Sequence, residues 1–347
     1  MSERTGTAPT DDTEGGDLLG DALSEVADLL SRAGDVTLLA HVNPDADTLG
    51  SALALGRVLR HRGATVRVAF ATPEEPPFSL RGLDADALVV PAADVPAVPS
   101  TLVALDTGSL QRLGALADRV GATIAAGGDV VVIDHHVSNT LFGTHHLIDE
   151  SAEATVMIVL RLLDALGAEV DLPTARCLYA GLVTDTGSFR RAGPATHRVA
   201  IRLLEAGVEP ESITRQLMDT HPFGWLGMLS KVLGEARLEP ESARGFGFVH
   251  ATVRFEHSDG LRGEELDSVI DVVRTTAEAD VAAVLKEMSP GHWSVSLRSD
   301  GRIDVSRAAA ACGGGGHRLA AGFTADGPAE DVLASLRSAL AEAPLLG

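Results

Sequence analysis

Apolar runs divide the chain into alternating strands and helices. Residues 36–40 (Val-Thr-Leu-Leu-Ala) are apolar with branched members, which predicts a buried strand. Residues 102–105 and 130–133 read the same way, and 65–70 predicts a further strand. After the first strand, Leu49, Leu53, Gly56 and Leu59 recur near helical spacing, so a helix follows. Leu18, Leu19, Leu23, Val26, Leu29 and Leu30 fit an earlier helix beginning at Asp17. Helices are also predicted over 110–120, 154–166, 174–182 and 196–206. Alternation of this kind predicts an α/β fold with a doubly wound parallel sheet.

The texture changes further along. Residues 213–238 read as a helical connection. Beyond Gly245, strands are predicted over 247–253, 281–285 and 294–298, with a helix over 263–278. This is a smaller α/β domain. Residues 1–16 are polar and aperiodic, and a disordered tail is expected there. The expected division is a tail at 1–16, a first domain at 17–212, a helical linker at 213–239 and a second domain at 240–345.

The polar residues at the predicted strand ends suggest chemistry. His41, Asp45 and Asp47 follow the first strand, Asp106 follows 102–105, and Asp134, His135 and His136 follow 130–133. Asp185 lies just beyond a helix. Ligand sites of open α/β sheets sit at this edge. Each residue has a blander alternative. Asp45 and Asp47 could cap the helix, His41 could be a packed strand residue, and Asp106 and Asp185 could be turn aspartates. All of these would have to hold together to remove the site. Carboxylates and imidazoles without thiolates suit a divalent ion such as Mn²⁺. The donors exceed what one ion needs. Two ions roughly 3.5–4 Å apart, sharing a carboxylate, would use them and would serve hydrolysis of a phosphate ester or anhydride. His61, His145, His146 and His221 receive no role.

Composition narrows the partners. The 347 residues carry a formal net charge of -21, which disfavours long polyanions unless basic groups gather in a cleft. Aromatics are only 3%, too few for extended base-stacking platforms. Cys177 and Cys312 lie in no metal-type spacing. Neither a membrane-spanning run nor a secretion signal is legible, so a cytoplasmic protein is expected. In the second domain, Arg298 at a strand end suits a bidentate phosphate contact. The glycines at 313–316 before His317 could be a linker, or a turn that exposes backbone N–H groups to a ligand.

These motifs resemble the DHH phosphoesterase family. They occur in order as His41-x-Asn43-Pro44-Asp45-x-Asp47 with Gly50-Ser51, then Asp106, then Asp134-His135-His136, then Gly181 to Gly187. The resemblance implies that His41, Asp45 and Asp106 hold a first ion. Asp47, Asp106, His135 and Asp185 would hold a second, with Asp106 bridging. His136 would act on the scissile phosphate or its leaving group, and Asp134 would orient a histidine. Ser296-Leu297-Arg298-Ser299 and Gly-Gly-Gly-His317 resemble the DHH-associated C-terminal domain. Ser296, Arg298, Gly315, Gly316 and His317 would then grip a nucleotide, with Arg190 from the first domain, in a cleft between the two. Within the superfamily the pair of motifs is similar to the nanoRNase/pAp phosphatase branch. That implies two divalent ions, Mn²⁺ first among the candidates, and short oligoribonucleotides and nucleotide bisphosphates as substrates, with a homodimer left open. The rivals are a cyclic di-AMP phosphodiesterase, an inorganic pyrophosphatase and a catalytically silent nucleotide sensor. The pyrophosphatases carry a lysine-containing motif, whereas Lys231 and Lys286 are the only lysines here.

Overall fold

The runs at 36–40, 65–70, 102–105 and 130–133 pair into one parallel sheet. In the computed structural model, which describes residues 13–346, the chain divides into two units, the first ending at Thr220 and the second beginning at His221. In the first unit the elements are α1 (Thr13–Arg32), β1 (Asp35–Leu39), α2 (Ala46–His61), β2 (Thr65–Ala69), β3 (Thr101–Leu105), α3 (Asp118–Ala125), β4 (Asp129–Asp134) and β5 (His145–Ile148). They are followed by α4 (Thr155–Ala165), α5 (Leu172–Asp185), α6 (Pro194–Glu205) and α7 (Pro210–Met218). The sheet order is β2-β1-β3-β4-β5. The order reverses between β1 and β3, the place where such sheets open a crevice. Leu105 pairs with Ile133, so Asp106 and Asp134 leave the sheet level with each other.

Both faces of this sheet are covered, which is why its strands are nearly all apolar. Val36, Leu38, Val103, Leu105, Val131 and Ile133 pack with α1, α2, α4 and α5. Leu39, Leu102, Ala104, Val130 and Val132 pack on the other side with Leu113, Leu116 and Val120. Each fully buried leucine contributes about 1.5–3 kcal/mol relative to exposure. One glycine sets a close approach that matters for the site. A Cβ on Gly181 of α5 would lie 2.7 Å from Asp47 Oδ1, so only glycine lets α5 run against that residue.

Several expectations shift. Residues 1–12 of the expected tail lie outside the described residues, whereas 13–16 begin α1, four residues ahead of Asp17. The segment 110–120 is a 3-10 stretch, Leu110–Leu116, kinked within by Gly114 at a φ of +56°, and then α3. The stretch 213–239 divides. Its first part belongs to α7 in the first unit, and the rest forms α8 (Phe223–Gly234) and strand β6 (Arg237–Glu239) in the second.

The second unit continues with the short α9 (Ser242–Gly245), β7 (Phe248–Val253), α10 (Gly263–Asp267), α11 (Val269–Val273), β8 (Val281–Ser289) and β9 (His292–Ser299). It ends with α12 (Val305–Ala311), β10 (Gly315–His317), β11 (Ala320–Asp326) and α13 (Ala329–Glu342). Its sheet is mixed, in the order β10-β11-β9-β8-β7-β6. The single helix expected over 263–278 is broken at Ser268. That hydroxyl bonds back to the Glu265 carbonyl at 2.8 Å and accepts the Trp225 indole N–H at 3.0 Å. The glycine run is neither linker nor isolated turn, because its end pairs with β11 as a strand. Among the described residues no helix is long and apolar enough to cross a membrane.

Candidate metal centre and phosphoesterase site

The loop after β1 is built to turn two side chains toward each other. Asn43 takes a φ of +52°, a conformation that asparagine tolerates better than most residues. The loop is tied by Val42 N–H to the Arg112 carbonyl at 2.8 Å and Asn43 N–H to the Thr72 carbonyl at 2.7 Å. His41 Nδ1 lies 2.8 Å from the Val42 carbonyl, which fixes the proton there and turns Nε2 inward. That Nε2 is 3.6 Å from Asp45 Oδ2 and 3.6 Å from Asp106 Oδ2. Asp45 fills both of the roles left open by its position. Its Oδ1 caps α2 by accepting from the N–H groups of Asp47 and Thr48, each at 3.0 Å, while Oδ2 faces His41.

Asp47 is fully buried and does not cap its own helix. Its Oδ2 accepts from Thr155 N–H at 2.7 Å and its Oδ1 from Val156 N–H at 3.0 Å. It therefore caps α4, whose first N–H groups have no partner of their own. A carboxylate offers about four lone-pair positions, so further donors or a cation can still approach.

Asp106 is the centre of the arrangement. It sits at the end of β3 with a φ of +53°. For a residue other than glycine, such backbone costs of order 1–3 kcal/mol and gathers at functional sites. Its Oδ2 faces His41. Its Oδ1 accepts the Thr155 hydroxyl at 2.9 Å and lies 3.6 Å from both His135 Nε2 and His136 Nδ1. His135 Nδ1 is 3.0 Å from the Ala152 carbonyl, which again turns Nε2 inward, here 3.3 Å from Asp185 Oδ2. Asp185 is the last residue of α5. A carboxylate at a helix C-terminus opposes the helix dipole by typically ~0.3–1 kcal/mol, so its placement calls for a compensating positive charge.

Asp134 is buried behind the histidines. It accepts from His135 N–H at 2.9 Å, from the Asn139 amide at 2.6 Å, and bonds His136 Nδ1 at 2.6 Å. Asn139 and Thr155 carry much of the ordering here, and sequence reading passed over both. Asn139, three residues beyond His136, was a weak signal. Thr155, at the first position of a helix, gave none.

Among the described residues three groups of donors gather within 4.8 Å: His41 with Asp45 and Asp106, Asp47 with His135 and Asp185, and Asp106 with His135 and His136. These groups fit a metal. The inward nitrogens face carboxylate oxygens at 3.3–3.6 Å, longer than a good hydrogen bond. An ion at about 2.1 Å from each ligand sets neighbouring ligands about 3 Å apart.

Without an ion the site must hold protons. Burial, with the nearby charges of Asp106 and Asp185, pushes Asp47 well above the usual carboxylate range. Burial and the charges of Asp106 and Asp45 do the same to Asp185. Burial alone would lower His41, but its interactions with Asp106 and Asp45 raise it to about 10. Burial would raise Asp106, but His41 and the other two imidazoles hold it below the usual range. Burial opposes the charge on His136 too, and the bond to Asp134 outweighs it, raising that imidazole.

In the second unit, the residues expected to bind substrate share one face of the sheet. Arg298 on β9 pairs with Ala320 on β11, which pairs with His317 on β10. In the next row Ser296 pairs with Gly322, which pairs with Gly315. Cross-strand partners point the same way, and the residues of β11 between them, Ala320 and Gly322, are small. Gly316, the next residue along β10, pairs with Ala321. Ser296 Oγ accepts from the buried Lys286 ammonium at 3.0 Å, a contact the sequence did not suggest. Arg190 is exposed after α5. Its neighbour Arg191 donates to the Asp185 carbonyl.

Comparison with known proteins agrees with this construction. Residues 35–182 match the DHH family, N-terminal domain, and residues 245–343 match the DHHA1 domain. The chain is 32% identical over 329 residues to the bifunctional oligoribonuclease and PAP phosphatase NrnA of Thermus thermophilus, covering 92% of this chain and 95% of that protein. An exopolyphosphatase-related protein of Bacteroides fragilis shares the fold with a TM-score of 0.83 at 22% identity, covering 92% of this chain and 96% of the other. RecJ of Thermus thermophilus in complex with Mn²⁺ gives a TM-score of 0.55 at 18% identity, covering 94% of this chain and 55% of that one. With both domain models matched in order and a relative aligned along almost its whole length, the chain belongs to the DHH family of phosphoesterases.

Proposed function

We propose that this chain is a Mn²⁺-dependent phosphoesterase of the cytoplasm. It hydrolyses short oligoribonucleotides and removes the 3′-phosphate of adenosine 3′,5′-bisphosphate (pAp). The observation that carries this reading is Asp106, whose two oxygens face two separate sets of donors. His41, Asp45 and Asp106 would hold one ion, and Asp47, Asp106, His135 and Asp185 the other. All six contribute oxygen or imidazole nitrogen, which suits Mn²⁺. When bound, such a pair supplies a lowered water pKa and neutralises charge on the phosphoryl oxygens.

The chain's own residues do the rest. Asp134 bonds His136 at Nδ1 and favours its protonated form. His136 is thereby suited to deliver a proton to the leaving oxygen. Asn139 and His135 N–H hold Asp134, so the imidazole is oriented before substrate arrives. Thr155 keeps the Asp106 carboxylate in one rotamer. In the second unit, Arg298, Ser296, Gly315, Gly316 and His317 would take the nucleotide. The name of the Thermus thermophilus relative supports the substrate class.

Net charge adds a constraint on length. Each further phosphate of a long strand meets a chain of formal charge -21. Repulsion acts over a screening length of ~8 Å near physiological salt. A panel of pyrophosphate, pAp, pApA, cyclic di-AMP and longer oligoribonucleotides, each with Mn²⁺, tests the proposal. The expected result is the highest kcat/KM on pAp or pApA and a fall with each added nucleotide. A preference for pyrophosphate or cyclic di-AMP would replace this reading. So would a kcat/KM that stays level to long strands.

A further inference from the structure

The 3-10 segment Leu110–Leu116 rests on the metal-site loop and carries an arginine, Arg112, whose guanidinium has no partner among the described residues. Its attachment is rigid. The Arg112 carbonyl accepts Val42 N–H at 2.8 Å, and Arg112 N–H donates to the Ser109 carbonyl at 3.0 Å. Leu113 next to it is fully buried. Gly114 follows, where a Cβ would lie 2.7 Å from Val42 Cγ1, so the backbone here lies directly on the residue after His41. The Arg112 side chain itself is exposed.

Several arginines of this unit are committed to carboxylates. Arg57 is bound to Asp171 and Asp86, Arg67 to Asp35, Arg161 to Asp149 and Arg202 to Asp164. No hydrogen bond or ion pair engages the Arg112 guanidinium among the described residues. A positive side chain without a carboxylate partner, in so acidic a chain, is suited to an anion brought from solvent.

We propose that Arg112 is a substrate-binding residue that takes the oxygens of a substrate phosphate at the His41 side of the site. This rests on the phosphoesterase reading above and adds to it a contact outside both sets of metal donors. Being exposed, the guanidinium binds the phosphate alike in ground and transition state, and such uniform binding is read in KM.

The test is steady-state kinetics of R112M and R112K with Mn²⁺, on pApA and on bis(p-nitrophenyl) phosphate, a diester without a nucleoside. Both variants replace an exposed side chain and are expected to fold and to bind Mn²⁺ as the parent does. R112M should raise KM for both substrates by roughly 10–100-fold with kcat within about threefold. R112K should recover part of the loss, because it restores the charge without the planar fork. Unchanged KM in R112M would overturn the proposal. A fall in kcat alone, or loss of bound Mn²⁺, would do so too. If the parent cleaves the diester but not pApA, the nucleotide reading fails while Arg112 is still judged on the diester. A parent that cleaves neither removes both.

Discussion

Asp106→Asn is expected to lower kcat by about 10³-fold or more, a loss of roughly 4 kcal/mol in transition-state stabilisation. Asparagine is the informative replacement. It tolerates the left-handed backbone at this position and can still accept from the Thr155 hydroxyl, so the local structure survives. What disappears is the charge that two donor sets share. Removing that charge also relieves Asp47 and Asp185, both raised in part by Asp106, so the metal-free variant should not be less stable on their account. Thermal melting and Mn²⁺ content measured beside turnover separate the effects. Asp134→Asn should cost less, about 10–100-fold, because that side chain acts through His136. A near-normal rate in Asp106→Asn would remove the shared-carboxylate account.

The second large effect is expected on metal removal, and it carries a pH signature. In the metal-free protein, Asp47 and Asp185 are raised and His41 is raised to about 10. A group raised by folding stabilises the fold at low pH and loses that contribution as pH climbs to its folded value. For His41 the loss runs from its ordinary 6.5 up to about 10; for the two aspartates it begins above 3.8. Asp106, held low, stays ionised throughout and adds no slope there. The chelated protein should therefore lose stability from pH 6 to pH 9. Mn²⁺ binding must displace these protons, so it should tighten over the same range. Calorimetric titration in two buffers of different ionisation heat should show net proton release. Activity should vanish on chelation and return with Mn²⁺. Binding that releases no protons would mean that these groups are not the ligands.

The residues that the structure gathers into donor groups stand out in the sequence because each lies where an apolar strand or helix begins or ends. A polar residue at that place has few structural reasons to be there. Asp45 shows the limit of such reading, since cap and site are the same carboxylate. What stayed hidden was non-local. Asp47 is held by N–H groups more than a hundred residues away, and nothing near either end announces it. Arg237–Glu239 read as part of a helical connection but pairs with β7 as a strand, a choice made by its neighbour in space. The same holds for the glycine run, which looks like a flexible turn until β11 supplies hydrogen-bond partners. Thr155 and Lys286 could not be weighed either, because their importance lies in what they touch.

The central claim is that one carboxylate joins two ion sites. Anomalous diffraction from crystals grown with Mn²⁺, collected at the manganese edge, tests it most directly. The account predicts two peaks flanking Asp106, one against His41 and Asp45 and the other against Asp47, His135 and Asp185. A single peak, or peaks away from Asp106, would contradict it.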